Sequence, residues 1–373
     1  MENELFFGKI NPKKIKHKRS IELEVQSESQ KSAMIFLEII REKFPVKIEN
    51  QKGNVKNAVS IDKMVDHLKE KVVLQKGEEE RFYALIREKM YYKVSYFVKL
   101  LYNVNGNPIT FTDLENIFYF DDFLRTSLSR LLPSIEQFVK SSLNNCLLEK
   151  YDNDSLIYLN EKLYKHNTES NKSKLNDVLS VCASEISEVS NSNDAVKHHI
   201  INHGGNIPLW ILFDTITFGK FNMLVTCMDR KVRRYWIDYM KLNCQYSDDF
   251  EMSAKSLPSH LQTVQILRNS ASHLSRIYGK VFTYNPGIRP SDKYWNKISI
   301  ESFNKPDPSV QIHSLFSGLI SAKYFYQCMS NTEVNKWNKF IEKLDNKMTE
   351  IKYLNSNGYM GFPENWKAML LIV

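Results

Sequence analysis

Residues 256–279 read SLPSHLQTVQILRNSASHLSRIYG, and the spacing of their apolar positions decides the fold class. Ser256-Leu257-Pro258-Ser259 is a helix-start signal, with a hydroxyl residue ahead of a proline that the first turn tolerates, and Gly279 is a stop. The spacing predicts one helix across the whole interval. At about 100° per residue, Val264, Leu267, Ala271, Leu274 and Tyr278 fall in one narrow stripe that must face a core. Arg268 lies on the flank of that stripe, while Asn269, His273 and Arg276 lie away from it. Asn269 and His273 are four apart and His273 and Arg276 three apart, so the three are expected to share a face. Beyond Gly279 the run Val281-Phe282-Thr283-Tyr284 predicts a short extended or β-like element.

Outward from this segment the same periodicity recurs. Phe82, Leu85, Ile86, Met90, Val94, Phe97, Val98 and Leu101 predict one amphipathic helix between Glu78 and Tyr102. A second long helical region is expected from Thr112 to Tyr151, broken or kinked at Pro133, with Asp121, Asp122, Arg125 and Arg130 on its polar side. Residues 167–193, rich in Ser and Asn, read as a surface loop flanking a short helix. Pro208 is placed near the first turn of an apolar helix reaching Met228. With 42% hydrophobic and 25% charged residues and only 12 Gly and 11 Pro, the 373-residue chain reads as all-α. A helical domain is expected over 61–373, with a small N-terminal appendage over 1–60. That appendage carries Lys13, Lys14, Lys16, His17, Lys18 and Arg19, followed by the alternating Ile21, Leu23 and Val25 of a short strand or arm. The basic cluster reads either as a tracker of a phosphate backbone or as a solvated flank.

Several features bound the chemistry. No stretch is long enough to span a membrane, and MENELFFGKI lacks the order of a signal peptide, so a cytosolic protein without a membrane role is expected. The five cysteines, Cys146, Cys182, Cys227, Cys244 and Cys328, include no CxxC pair and read as reduced core residues. His198, His199 and His203 have ligand-like spacing, but no cysteine or carboxylate among them completes a shell, and neither metal nor cofactor is expected. Gly204-Gly205 matches no phosphate-binding loop and reads as a helix stop. The tyrosines Tyr91, Tyr92 and Tyr96 beside Phe97 read as core rather than as a base-stacking stripe. A net charge of +8 favours a polyanionic partner.

Arg268, Asn269, His273 and Arg276 are groups suited to a phosphodiester. Cleavage of RNA without a metal needs a base for the 2′-hydroxyl proton, an acid for the leaving 5′-oxygen and cations for the charged phosphorane. Imidazole serves as base or acid near neutrality. Guanidinium supplies permanent charge that matches phosphate geometry. One histidine per helix covers one of the two proton transfers, so a two-fold pair of such helices makes a more complete site.

Arg268-Asn269-Ser270-Ala271-Ser272-His273 resembles the Arg-(four residues)-His motif of the HEPN superfamily, and the continuation through Arg276-Ile277-Tyr278 resembles the signature of AbiD/AbiF abortive-infection proteins. Further blocks are similar in the same order: Tyr91-Tyr92 with Tyr96, Phe120-Asp121-Asp122-Phe123-Leu124-Arg125, Gly205 to Trp210 with Phe218-Gly219, and Met360 to Trp366. Asn206 replaces an acid, Thr217 a serine, and Ser272 and Leu274 stand where relatives often carry Ala and a second His. The resemblance implies a HEPN-like helical bundle with its motif at 268–278, and phage defence through RNA. Arg268, Asn269 and His273 would be catalytic, and Arg276 with Lys13, Lys14, Lys16, Lys18 and Arg19 would hold the strand. It further implies a homodimer, RNA as partner, including a small non-coding RNA, and either endoribonuclease activity or a non-catalytic RNA-binding or sensor role.

Overall fold

The computed structural model describes residues 59–105, 109–242, 252–284 and 312–373, together with isolated positions 38, 39, 42, 244 and 286. The arm at 13–19 and the strand at 21–25 lie outside the described residues. Two units separate, Met1–Ser60 and Ile61–Val373, and every element below belongs to the second. It is an all-α bundle, as the apolar periodicity predicts.

The first elements are α1 (Ile61–Lys69), β1 (Val72–Val73), α2 (Glu79–Glu88), α3 (Tyr91–Asn105) and β2 (Ile109–Thr110). β1 and β2 pair in parallel, Val72 opposite Ile109, too short a ladder for any alternation to announce it. The single helix expected over 78–102 is two. Lys89 is extended at the break and Met90 is 66% exposed. Phe82 and Ile86 on α2 and Val94, Phe97 and Val98 on α3 are buried, so two helices in phase imitate one pattern.

Next comes α4 (Phe111–Lys150), forty residues and about 60 Å at 1.5 Å per residue. Thr110 and Asp113 form a reciprocal capping box at its start. Pro133 neither breaks nor ends it. Packing decides here, since Leu131, Leu132 and Ile135 around the proline are all buried. Asp121, expected on the polar face, is 1% exposed.

The expected loop at 167–193 is instead a twenty-residue helix, α5 (Glu169–Glu188), capped by the Thr168 hydroxyl. Leu175, Val178, Cys182 and Ile186 give it a narrow buried seam, and packing of that seam overrides the weak helix propensity of its Ser and Asn residues. α6 (Asp194–Asn202) stops at His203, and Gly204 and Gly205 follow with φ of 60° and 80°. The apolar helix expected through Met228 is again two, α7 (Leu209–Thr215) and α8 (Phe218–Cys227). Pro208 sits one position before α7. Glu185 of α5 accepts the Thr217 N–H at 3.1 Å, supplying from a neighbouring helix the cap that α8 lacks locally.

α9 (Arg230–Leu242), α10 (Leu257–Ser272), α11 (Leu315–Tyr326), α12 (Asn331–Glu350), α13 (Ser356–Met360) and α14 (Trp366–Leu370) complete the bundle. α10 packs on α4, α8 and α11. Every residue of α11 is buried, which explains its lack of an amphipathic pattern. Its polar groups are hydrogen-bonded: Ser321 donates to Ser317 O at 3.1 Å and Lys323 to Met369 O at 2.8 Å. All five cysteines are free thiols and four are buried. No described helix is long and apolar enough to cross a membrane.

His260 of α10 lies 3% exposed beside Ser321, Nδ1 to Oγ 3.0 Å, and burial pushes its pKa down from 6.5 to about 3. The folded state therefore keeps it neutral while the unfolded chain protonates below pH 6.5. Its contribution is intact above that value and drains away as pH falls toward 3. Between pH 7.5 and 5 this linkage is expected to cost about 2 kcal/mol of stability. Urea midpoints of the parent and His260→Gln measure it. The variant's pH slope should be flatter by that amount, and identical slopes would contradict the assignment.

Candidate active site

The motif helix is shorter than its sequence suggests. α10 ends at Ser272, with His273 as its C-cap at φ −90° and ψ 22°. Leu274 turns into the left-handed region at φ 52°, and Ser275 N–H returns to Ser270 O at 3.0 Å, which closes a Schellman-type cap. Glycine ordinarily takes that position, and an apolar residue there is strained. Leu274, assigned from the wheel to the core stripe, is 66% exposed. Val264, Leu267 and Ala271 keep the stripe, and Tyr278 is buried although no longer on the helix. The shared helical face of Asn269, His273 and Arg276 is thus corrected, since Arg276 follows the cap.

Arg268 and Asn269 are half-buried and His273 is exposed. Arg268 Nη1 donates to Asn269 Oδ1 at 3.1 Å, and its Nη2 lies 3.2 Å from Glu136 Oε2 of α4. Glu136 also pairs with Lys140 at 3.0 Å. These contacts fix the guanidinium in place while leaving its side chain 34% exposed. The His273 N–H bonds Asn269 O at 3.0 Å, so both side chains leave the last turn of one helix. Glu136 carries no signal in the sequence, because one carboxylate on a long helix is indistinguishable from a solvated one.

Arg276 lies with its guanidinium carbon 3.3 Å from the centre of the Tyr96 ring. Burial pushes its pKa down, against Tyr96 and Asp121. Tyr96 OH donates to Gly279 O at 2.9 Å, so this tyrosine holds both the arginine and the chain after it. Of its neighbours Phe97 is buried, Tyr91 half-buried and Tyr92 64% exposed.

Asp121 pins the same segment. Its Oδ1 accepts the N–H groups of Ile277 and Tyr278, both at 2.8 Å, and its Oδ2 receives Arg125 Nη1 at 3.0 Å. Burial pushes this carboxyl above its ordinary range, opposed by the two N–H donors and then by Arg125. Tyr278 OH in turn accepts Asn355 N–H at 3.1 Å, tying the segment to the C-terminal residues. Gly279 has φ +66° and a Cβ there would stand 2.5 Å from Leu100 Cδ1, so a larger residue is strained in its backbone and must displace that leucine. Gly219 on α8 passes Gln265 of α10 closely, 3.0 Å to Nε2 from a Cβ. Beyond Gly279 no strand forms, but exposure alternates from Val281 to Tyr284, and Phe282 N–H bonds His313 O at 2.8 Å, as an extended element requires.

Three of the blocks that resembled one family therefore meet the motif helix or the chain after it: Tyr96 and Asp121 hold residues 277–279, and Gly219 passes Gln265 of α10. The profile of the family described as Abi-like protein matches residues 84–279, more than half of the chain, from α2 to the glycine after the motif. The chain belongs to the Abi-like protein family. Membership supports a role in abortive infection, the defence in which a phage-infected cell is arrested. No curated protein and no solved structure matches.

Away from the motif of this Abi-like protein, the three histidines at the end of α6 do converge. His198 Nε2 and His203 Nε2 are 3.2 Å apart, and the His199 and His203 rings are 4.7 Å apart. Among the described residues no group of three or more His, Cys, Asp or Glu is arranged to hold a metal ion.

Proposed function

We propose that this Abi-like protein is a cytoplasmic, HEPN-type endoribonuclease of the AbiD/AbiF kind, which arrests the infected cell by cutting RNA without a metal. The observation that carries this reading is the pairing, on one helix end, of an exposed His273 with an Arg268 held in place by Glu136 and Asn269. His273 removes the 2′-hydroxyl proton, the 2′-oxygen attacks phosphorus, and the 5′-oxygen leaves with a proton from a second carrier. Arg268 stabilises the charged phosphorane. Asn269 orients Arg268 and is within the same turn to meet substrate. Leu274 puts no second imidazole beside His273, so the second proton carrier comes from another copy of the chain in a two-fold dimer. Arg276 contributes to strand binding from its seat on Tyr96, and Lys13, Lys14, Lys16, Lys18 and Arg19 extend the phosphate contacts.

A second reading is favoured by the Arg268–Glu136 ion pair, which neutralises part of the charge a phosphorane needs. In it the same face binds RNA, including a small non-coding RNA, without cutting it. Incubating purified protein with RNA in excess EDTA separates the two. The nuclease cuts under these conditions; binding without cutting, with or without added divalent metal, would leave only the second reading.

A further inference from the structure

Four arginines of the described residues have a buried Nε without a hydrogen-bond partner: Arg125, Arg233, Arg268 and Arg276. Three of them have compensation elsewhere on the guanidinium. Arg125 forks onto Asp121 and Asp122, Arg268 meets Glu136, and Arg276 lies on Tyr96. Arg233 has no side-chain hydrogen bond, ion pair or ring contact among the described residues, although it is only 6% exposed. Its position makes this harder to explain as a surface charge. On α9 the buried stripe is Val232, Arg233, Trp236, Ile237 and Met240, so the arginine occupies a core position of an otherwise regular amphipathic helix. A guanidinium whose Nε is buried there without a partner is costly, and an apolar residue of similar volume would be favoured by stability alone.

The surroundings are cationic. Residues 163–165 run antiparallel to 227–229, with Lys165 N–H bonded to Cys227 O at 3.0 Å and Asp229 N–H to Leu163 O at 2.8 Å, which brings Lys165 to the start of α9. The half-buried Lys165 ammonium donates to Thr226 O at 3.0 Å. Burial first, and then Arg233 and Lys174, push its pKa down. Burial and then Arg230 push Arg233 in the same direction. Asp229 is the acid that opposes both, but its Oδ1 caps Lys231 N–H at 2.7 Å, and no ion pair joins it to either cation.

We propose that Arg233 and Lys165 form a phosphate-binding site at the start of α9, taking the phosphate group of a nucleotide or of an RNA strand. The guanidinium presents donors whose geometry suits phosphate oxygens, the Lys165 ammonium supplies point charge, and the bound anion provides the partner that the Arg233 Nε otherwise lacks. The site uses none of the motif residues and stands whether or not the chain cuts RNA.

Isothermal titration calorimetry of the full chain at low ionic strength tests it, with inorganic phosphate and a short RNA lacking terminal phosphates as probes. Saturable binding of phosphate is expected, or of the RNA in competition with phosphate; the first arm alone assigns a free phosphate or nucleotide, the second the RNA backbone. Arg233→Met should weaken binding at least about tenfold, the loss of one charge-assisted contact. It should also unfold at the same temperature as the parent or higher. Lys165→Gln should weaken binding severalfold, and it carries the test if the methionine variant fails to fold. Lys336→Gln, which removes an exposed charge paired with Glu333, should bind as the parent does, so a general loss of positive charge is not what the other variants report. Absence of saturable binding by both probes, or unchanged affinity in both variants, would overturn the proposal.

Discussion

Asp121→Ala is expected to destabilise the fold by roughly 3–5 kcal/mol, the cost of opening a buried, hydrogen-bonded ion pair. The loss has three parts. The buried N–H groups of Ile277 and Tyr278 lose their acceptor, and Arg125 loses the inner half of its fork. Asp121→Asn keeps an acceptor for the two N–H groups and should cost less, about 1–2 kcal/mol. Asp122→Ala removes the outer half of the fork, where the carboxylate is 65% exposed, and should cost no more than about 1 kcal/mol. Urea unfolding of the three variants gives the order directly. Equal losses for Asp121→Ala and Asp122→Ala would show that the carboxylate does not anchor the chain after His273.

That anchor was hidden in the sequence for a physical reason. Asp121 and Asp122 look alike in a Phe-Asp-Asp-Phe block, and only the tertiary approach of residues 277 and 278 makes one a buried acceptor. The end of α10 was hidden for a different reason. Helix termination is legible when glycine stands at the left-handed position, and here Leu274 does, so the periodic reading ran on to Gly279. The breaks at Lys89 and at Ile216–Thr217 fall between helices whose buried faces stay in phase, which hydrophobic periodicity alone cannot resolve. The bundle itself was legible because Val264, Leu267 and Ala271 on α10, and Val94, Phe97 and Leu101 on α3, repeat at helical spacing and are buried as that spacing demands. At the candidate site the residue types of Arg268, Asn269 and His273 were readable. Glu136, Tyr96 and Asp121, which position them and the chain beyond, act from elements distant in sequence.

His273→Ala should lower RNA cleavage by about 10²- to 10⁴-fold, the range for loss of a positioned acid or base. Arg268→Ala should cost about 10²- to 10³-fold, as for removal of a donor to a developing oxyanion. Neither change should unfold the bundle. His273 is exposed, and removal of Arg268 leaves Glu136 paired with Lys140 at 3.0 Å. Growth arrest on expression should disappear with cleavage in both variants. If His273→Ala still arrests cells, with RNA bound and uncut by either form, His273 has no catalytic role and the binding reading replaces it.

The central claim concerns the bond-making step, and the chemistry of the cut ends tests it most directly. RNA cut by the parent chain in EDTA should carry 2′,3′-cyclic phosphate and 5′-hydroxyl ends. A strand with a single 2′-deoxy sugar at the cut position should bind equally well and stay intact, because its nucleophile is gone. Ends bearing a 5′-phosphate, or cutting at the 2′-deoxy position, would show that water rather than the 2′-hydroxyl attacks and would contradict the account.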